Sequence, residues 1–193
     1  ALVPSAVLVS RPARIWVRNG LGQTREAAID DAASAAMPDG VAVLRLLSPI
    51  AVQLTIADRD PFAGSPGFVL EYGESMPAEP AWPQLRQGFI GAAGMKSRRR
   101  LGIEVGTRTG GGPVLDARGR LAGVVVSDSG GHLFLPVSSW PKSMRGDQDV
   151  PRAAASSPPA PAPSIEPRTR HSLAADEAYE RGLPTALQVI TLP

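Results

Sequence analysis

Cysteine is absent from the 193 residues, and histidine occurs only at His132 and His171. The first absence excludes a disulfide framework, a thiolate metal site and a cysteine nucleophile. The second leaves too few imidazoles for a zinc centre, so no metal and no organic cofactor is expected. Aromatic residues make up only 5% of the chain, which gives little scope for stacking bases. A formal net charge of +2 is weak support for polyanion binding, so nucleic acid is not expected as a partner. Long apolar runs are missing too. Val41 to Leu44 and Leu121 to Val126 fall far short of the roughly 18 to 20 residues of a membrane helix, so no span is expected to cross a bilayer. No basic stretch precedes the apolar residues of the opening decapeptide, which therefore does not read as a secretory signal. The chain opens on Ala1 and reads as a cut start.

What remains is a chain 43% hydrophobic and 20% charged, punctuated by 20 Gly and 20 Pro. That apolar fraction supports one core-forming domain of roughly 100 to 200 residues, with room for an appendage. Short runs rich in Val, Ile and Leu, each bounded by turn residues, occur at Ala13–Arg18, Arg25–Ile29, Val41–Leu47, Gly67–Tyr72, Gln87–Ala92, Leu101–Gly106, Pro113–Leu115, Leu121–Ser127 and His132–Val137. Runs of this length and β-branched content read as the strands of an all-β barrel or sandwich. Glu26–Met37 is rich in alanine, but it lacks a sustained helical period and ends at Pro38. It reads as a strand followed by a loop.

Composition divides the chain at about residue 141. Residues 142–171 collect Pro151, Pro158, Pro159, Pro161, Pro163 and Pro167 among Ala and Ser, and such a segment reads as a semi-rigid linker. Beyond it, residues 172–193 predict a helix capped by Ser172 and stopped by Gly182 and Pro184, then a strand over Thr185–Leu192. The expected organisation is thus a β module over 1–141, the linker, and a short helix and strand.

The most informative stretch is Arg108-Thr109-Gly110-Gly111-Gly112-Pro113-Val114-Leu115-Asp116, followed by Arg118-Gly119-Arg120-Leu121-Ala122-Gly123-Val124. A phosphate-cradling reading fails because no Gly-Lys-Ser/Thr precedes a helix here. On residue chemistry alone this is a glycine-rich loop between strands. From Gly111 to Val124 it resembles the nucleophile loop and following hairpin of trypsin-like serine peptidases, in particular their bacterial HtrA-type branch. Two further segments fall in the same order. Asp39-Gly40-Val41-Ala42-Val43-Leu44-Arg45-Leu46 is similar to the strand that begins with the triad aspartate, and Gly131-His132-Leu133-Phe134-Leu135-Pro136-Val137 is similar to the closing strand. The resemblance covers roughly residues 1–140. It implies a double β-barrel whose first barrel is incomplete, a peptidase ancestry, and a cell-envelope or periplasmic setting. It also makes Ala1–Ala6 look like the residues just after the triad histidine, and Asp176–Leu192, with Leu183–Ile190, look like the start of a second trypsin-like domain, with a single permuted barrel as the alternative.

The departures from that pattern bear on function. A serine-peptidase triad needs a hydroxyl nucleophile, a histidine to take its proton and a carboxylate to orient the histidine. Gly110 stands at the nucleophile position, Arg108 stands where the family has a glycine of the oxyanion loop, and no histidine precedes Asp39. Asp39 reads as a relic of the triad acid, although Pro-Asp-Gly is also an ordinary turn. Thr109 could replace the nucleophile only if the loop held an extra glycine. Lys96–Arg100 reads as a solvated basic loop, and His132 as an exposed or half-buried strand residue. The expected function is therefore an inactive peptidase module that binds a peptide or protein by strand addition near Val125, Val126 and Ser127. The rival readings are an active serine or threonine endopeptidase with its histidine supplied from outside this chain, and a structural spacer.

Overall fold

The structure is a computed structural model and describes residues 1–8, 12–38, 40–50, 52, 55–72, 82–93, 98–106, 110–128, 131–145 and 172–192. Among the described residues, eleven strands form two β units. The first is a five-stranded antiparallel sheet with the order β1 (Leu2–Pro4), β4 (Val41–Leu46), β3 (Thr24–Ile29), β2 (Arg14–Asn19) and β11 (Leu187–Leu192). The second is a closed barrel of β10 (Gly131–Pro136), β7 (Arg99–Gly102), β6 (Pro83–Ala93), β5 (Pro66–Tyr72), β8 (Pro113–Asp116) and β9 (Leu121–Asp128). The all-β, two-barrel architecture with an incomplete first barrel is thus present.

Each expected strand is found, with shifted ends. In β2 the alternation is direct: Ile15, Val17 and Asn19 are buried while Arg14 is exposed, as a period of two requires. Asn19 starts the turn into β3. Its Oδ1 accepts from the N–H groups of Leu21 and Gln23, and its Nδ2 donates to Gln23 Oε1. Leu101–Gly106 pairs only over Arg99–Gly102, because beyond Ile103 the chain turns away and Gly106 donates its N–H to the Glu71 carboxylate.

Two elements were not expected. A short helix α1 (Asp31–Ala35) replaces the loop read after β3, because Asp30 accepts at its N-cap from the Ala33 N–H, a favourable cap. The Ser34 hydroxyl then joins the helix to β4 by accepting from Val43 N–H. Strand β1 escapes a sequence reading because three residues are too short to show an alternation. It pairs with β4 through Leu2, Val3 and Pro4.

The core has three parts. Val69, Ile90, Ile103, Val114, Val125 and Phe134 fill the closed barrel. Val3, Ile15, Val17, Ala27, Ala42 and Leu44 line the concave face of the open sheet. Between the two units pack Val41, Val43, Phe68, Leu70, Leu115, Val124, Val126, Leu135 and Trp140. Strand β9 is buried from Leu121 through Val126 because its two faces serve two of these clusters.

The C-terminal elements, read as the possible opening of another domain, pack into this one. Helix α2 (Ala175–Gly182) begins after Ala174 and not at Ser172. Leu173 donates its N–H to Ala117 O in the β8–β9 turn, which holds the preceding residues out of the helix. Gly182 lies so close to Leu70 that an added Cβ would come within 2.3 Å of Leu70 Cδ1. Strand β11 then pairs antiparallel with β2 from Leu187↔Asn19 to Leu192↔Arg14. Of the segment 142–171, read as a linker, residues 146–171 lie outside the described residues, while Lys142–Met144 forms a short 3-10 turn.

Two contacts test this docking. Gly20 donates its N–H to Leu183 O at 2.9 Å, and a Cβ on Gly20 would lie 2.7 Å from that carbonyl oxygen. Gly20→Ala should therefore lower stability by about 1 to 3 kcal/mol in urea unfolding, as overpacking does, and amide exchange over Leu187–Leu192 should quicken. Tyr72 donates its hydroxyl to Ala186 O at 3.2 Å. Burial, opposed by a smaller effect of the Arg18 charge and helped by a still smaller one from Tyr179, pushes the Tyr72 phenol from 10.0 up to about 12. The folded state holds the proton more tightly than the unfolded chain, so this contribution is constant below about pH 10 and is lost between about pH 10 and 12. Thermal melts across that window should show a fall that Tyr72→Phe reduces.

Candidate functional site

The glycine-rich loop is positioned by main-chain bonds. Gly111 lies at φ +79°, a left-handed conformation that favours glycine. Its N–H donates to Val125 O at 2.7 Å, and Val125 N–H donates to Gly112 O at 2.9 Å. Pro113 then opens β8, and Pro113–Leu115 pair with β9.

The turn that follows explains why Asp, Gly and Arg recur at this spacing. Asp116 Oδ1 accepts from the N–H groups of Arg118 and Arg120. Gly119, at φ +73°, donates its N–H to Asp116 O. Arg120 closes the turn with Nε and a terminal nitrogen on Asp116 Oδ2, and its other terminal nitrogen reaches Asp58 at 2.9 Å. Burial alone would lower the Arg120 pKa, but the hydrogen bonds and charges of Asp116 and Asp58 outweigh it and raise it.

Ahead of the loop, Glu71 is a carboxylate only 3% exposed. Its Oε1 accepts from Arg86 Nε at 2.7 Å and its Oε2 from Gly106 N–H at 2.8 Å. Glu71 thus ties β5 to the segment that enters the loop. Its neighbours in sequence, an apolar β5, gave no sign of this role.

Gly110, read from the sequence as standing at a nucleophile position, is crowded by a residue the sequence reading did not connect with it. A Cβ built on Gly110 would lie 2.6 Å from Pro4 Cγ, and one on Gly111 3.0 Å from Pro4 Cδ. The next residue, Ser5, donates its N–H to Gly40 O at 3.1 Å. The corner after β1 therefore bridges Gly40, which follows Asp39, and Gly110. The structure thus places Pro4 and Ser5 between Gly40 and Gly110. Asp39, Arg108 and Thr109 themselves lie outside the described residues.

The residues expected to meet a peptide divide. Val125 and Val126 are buried, and Val125 has both main-chain groups engaged by Gly111 and Gly112. Ser127 is exposed, and its Oγ lies 3.1 Å from Nδ1 of His132 across the β9–β10 pair. His132 is half-buried in β10, as expected of a strand residue. Among the described residues, no group of three or more His, Cys, Asp or Glu side chains could hold a metal ion, and no helix is long and apolar enough to cross a membrane.

No family model matches the chain, and no curated protein does. Solved structures do. The chain is similar to a serine endoprotease from Yersinia pestis, at 19% identity and a TM-score of 0.56 over 71% of this chain and 49% of that one. It is also similar to a Mycobacterium tuberculosis protein solved as a serine-to-alanine mutant in an inactive form, at 18% identity and a TM-score of 0.54, covering 72% of this chain and 70% of that one. The chain spans about half the length of the Yersinia protease. At these identities the likeness is one of fold, and that fold is the trypsin-like double β-barrel of HtrA-type serine proteases.

Glu71 supplies the test of how the loop is held. Hydrogen bonds to a charged group contribute about 1.5 to 3 kcal/mol, and a buried donor left without an acceptor adds to the loss. Glu71→Ala should lower stability by about that amount in urea unfolding and speed amide exchange at Gly106. Glu71→Gln, which keeps an acceptor oxygen, should lose less.

Proposed function

We propose that this chain is a trypsin-like module that does not cleave peptide bonds and that works by holding a peptide or protein partner. The observation that carries this reading is the contact of Pro4 with Gly110. The nucleophile position has no hydroxyl, and the space a side chain would need there is filled by the proline ring. With the nucleophile missing, the proton relay of a serine peptidase has nothing to activate. What the fold retains is a glycine loop pinned to β9 and an adjacent strand end at Ser127, a surface suited to an extended peptide. The active-endopeptidase reading would fall to Thr109 as nucleophile with a histidine from outside this chain, and no described side chain favours it.

The purified chain should leave unfolded casein intact while retaining it on an immobilised sample, with slowed amide exchange at Ser127 and Asp128. Gly110→Ser should not react with a fluorophosphonate probe, because an unassisted serine hydroxyl is a weak nucleophile at neutral pH. The same substitution should lower stability by about 1 to 3 kcal/mol, since its Cβ would meet the Pro4 ring. Casein cleavage that survives repurification, or labelling of the Gly110→Ser variant, would overturn the proposal.

A further inference from the structure

The outer face of the first sheet carries charged and aromatic groups away from the glycine loop. In β2 and β3 the side chains of Ile15, Val17 and Ala27 enter the core, so Trp16 and Glu26, which pair across the two strands, stand on the opposite face. Glu26 O accepts from Leu47 N–H at 2.9 Å, which sets Leu47, 62% exposed, beside it. An indole, a carboxylate and an apolar side chain therefore form one row across β2, β3 and the end of β4.

Strand β4 ends at Leu46, and Arg25 spans from β3 to the chain beyond it. Its Nε donates to Pro49 O at 3.3 Å and its Nη1 to Thr24 O at 2.8 Å. Two carbonyl oxygens thus hold the guanidinium in place, and of its five N–H groups these two are taken, which leaves three open to a ligand. Around Trp16, Arg25, Glu26 and Leu47 lies an open cleft of about 620 Å³, completed by Thr24, Ser48 and Pro49, within the range of about 300 to 1,000 Å³ that ligand sites occupy. Among the described residues, neither Arg25 nor Glu26 has an ion-pair partner. A plain anion would gain from Arg25 and be repelled by Glu26, and a plain cation the reverse, whereas a molecule carrying both signs satisfies both. Arg14 and Arg18, two positions to either side of Trp16 on the same face of β2, and the exposed Arg45 add positive charge around the cleft. A carboxylate is therefore the stronger of the two handles.

We infer that this cleft binds a small zwitterion with an apolar body, either a free amino acid or a very short peptide. Its carboxylate meets the pinned Arg25 guanidinium, its ammonium meets Glu26, and its apolar body lies against Trp16 and Leu47. This site is separate from the groove beside Ser127 and does not depend on the loss of cleavage.

The probes are L-phenylalanine, N-acetyl-L-phenylalanine and L-phenylalanine amide, each titrated into the isotope-labelled chain. The free amino acid should shift the Trp16 indole signal and the amides of Arg25, Glu26 and Leu47. Each blocked form loses one charge-assisted contact and should bind at least about tenfold more weakly, the amide more weakly than the acetyl form. Glu26→Gln should abolish the difference between the free and the acetylated amino acid while leaving the amide the weakest of the three. Glycyl-phenylalanine and diglycyl-phenylalanine hold the two charges further apart, so tighter binding of either marks a short peptide as the ligand, and weaker binding of both marks a free amino acid. Absence of shifts from all three zwitterions at tens of millimolar overturns the inference. So does equal binding of the preferred zwitterion and either of its blocked forms, or a set of shifts that leaves out Trp16 and Arg25.

Discussion

The pairing of β11 with β2 is the contact on which the remaining architecture rests. It joins the last strand of the chain to one near the start, from Leu187↔Asn19 to Leu192↔Arg14. Without it β2 would be an outer edge, and a lone six-residue strand has no stability of its own in water. The same pairing brings Leu183 O to Gly20, Ala186 O to the Tyr72 hydroxyl and Gly182 onto Leu70. The tail is therefore fastened to both β units at once, and glycine occurs where backbone and side chains approach most closely.

The second constraint is the set of main-chain bonds between the glycine loop and β9. Val125 exchanges bonds with Gly111 and Gly112, so the loop is held as an extension of the sheet. Asp116 and Arg120 hold the far end of the same hairpin, and Glu71 holds the segment that enters the loop. This scaffold is rigid around a position with no reactive side chain.

Among the described residues, one of the two antiparallel β units closes into a barrel and the other is an open five-stranded sheet. In the closed barrel every strand has two neighbours, and side chains such as Phe68, Phe134 and Val125 are completely buried. In the open sheet Ile29, Leu46, Leu187 and Val189 pack only partly against their cluster.

Sequence alone determined the elements whose signal is local. The strands follow from β-branched runs between Gly, Pro and Asn, because alternation shows wherever one strand face is buried. The β8–β9 turn follows from Asp116 and Gly119, because one side chain and one left-handed residue suffice to build it. The lack of a hydroxyl at Gly110 needed only the order of the loop. Tertiary structure decided what depends on residues far apart in the chain. Strand β1 was too short to be read, and α1 formed because Asp30 caps it and Ser34 joins it to Val43. Neither the Pro4 ring at Gly110 nor the Glu71 carboxylate at Gly106 carries a local pattern, since each is a contact between segments separated by many residues. Whether Leu187–Leu192 would stand apart or dock was open in the same way: its alternation is compatible with any apolar edge, and only the geometry of β2 and Gly20 selects one.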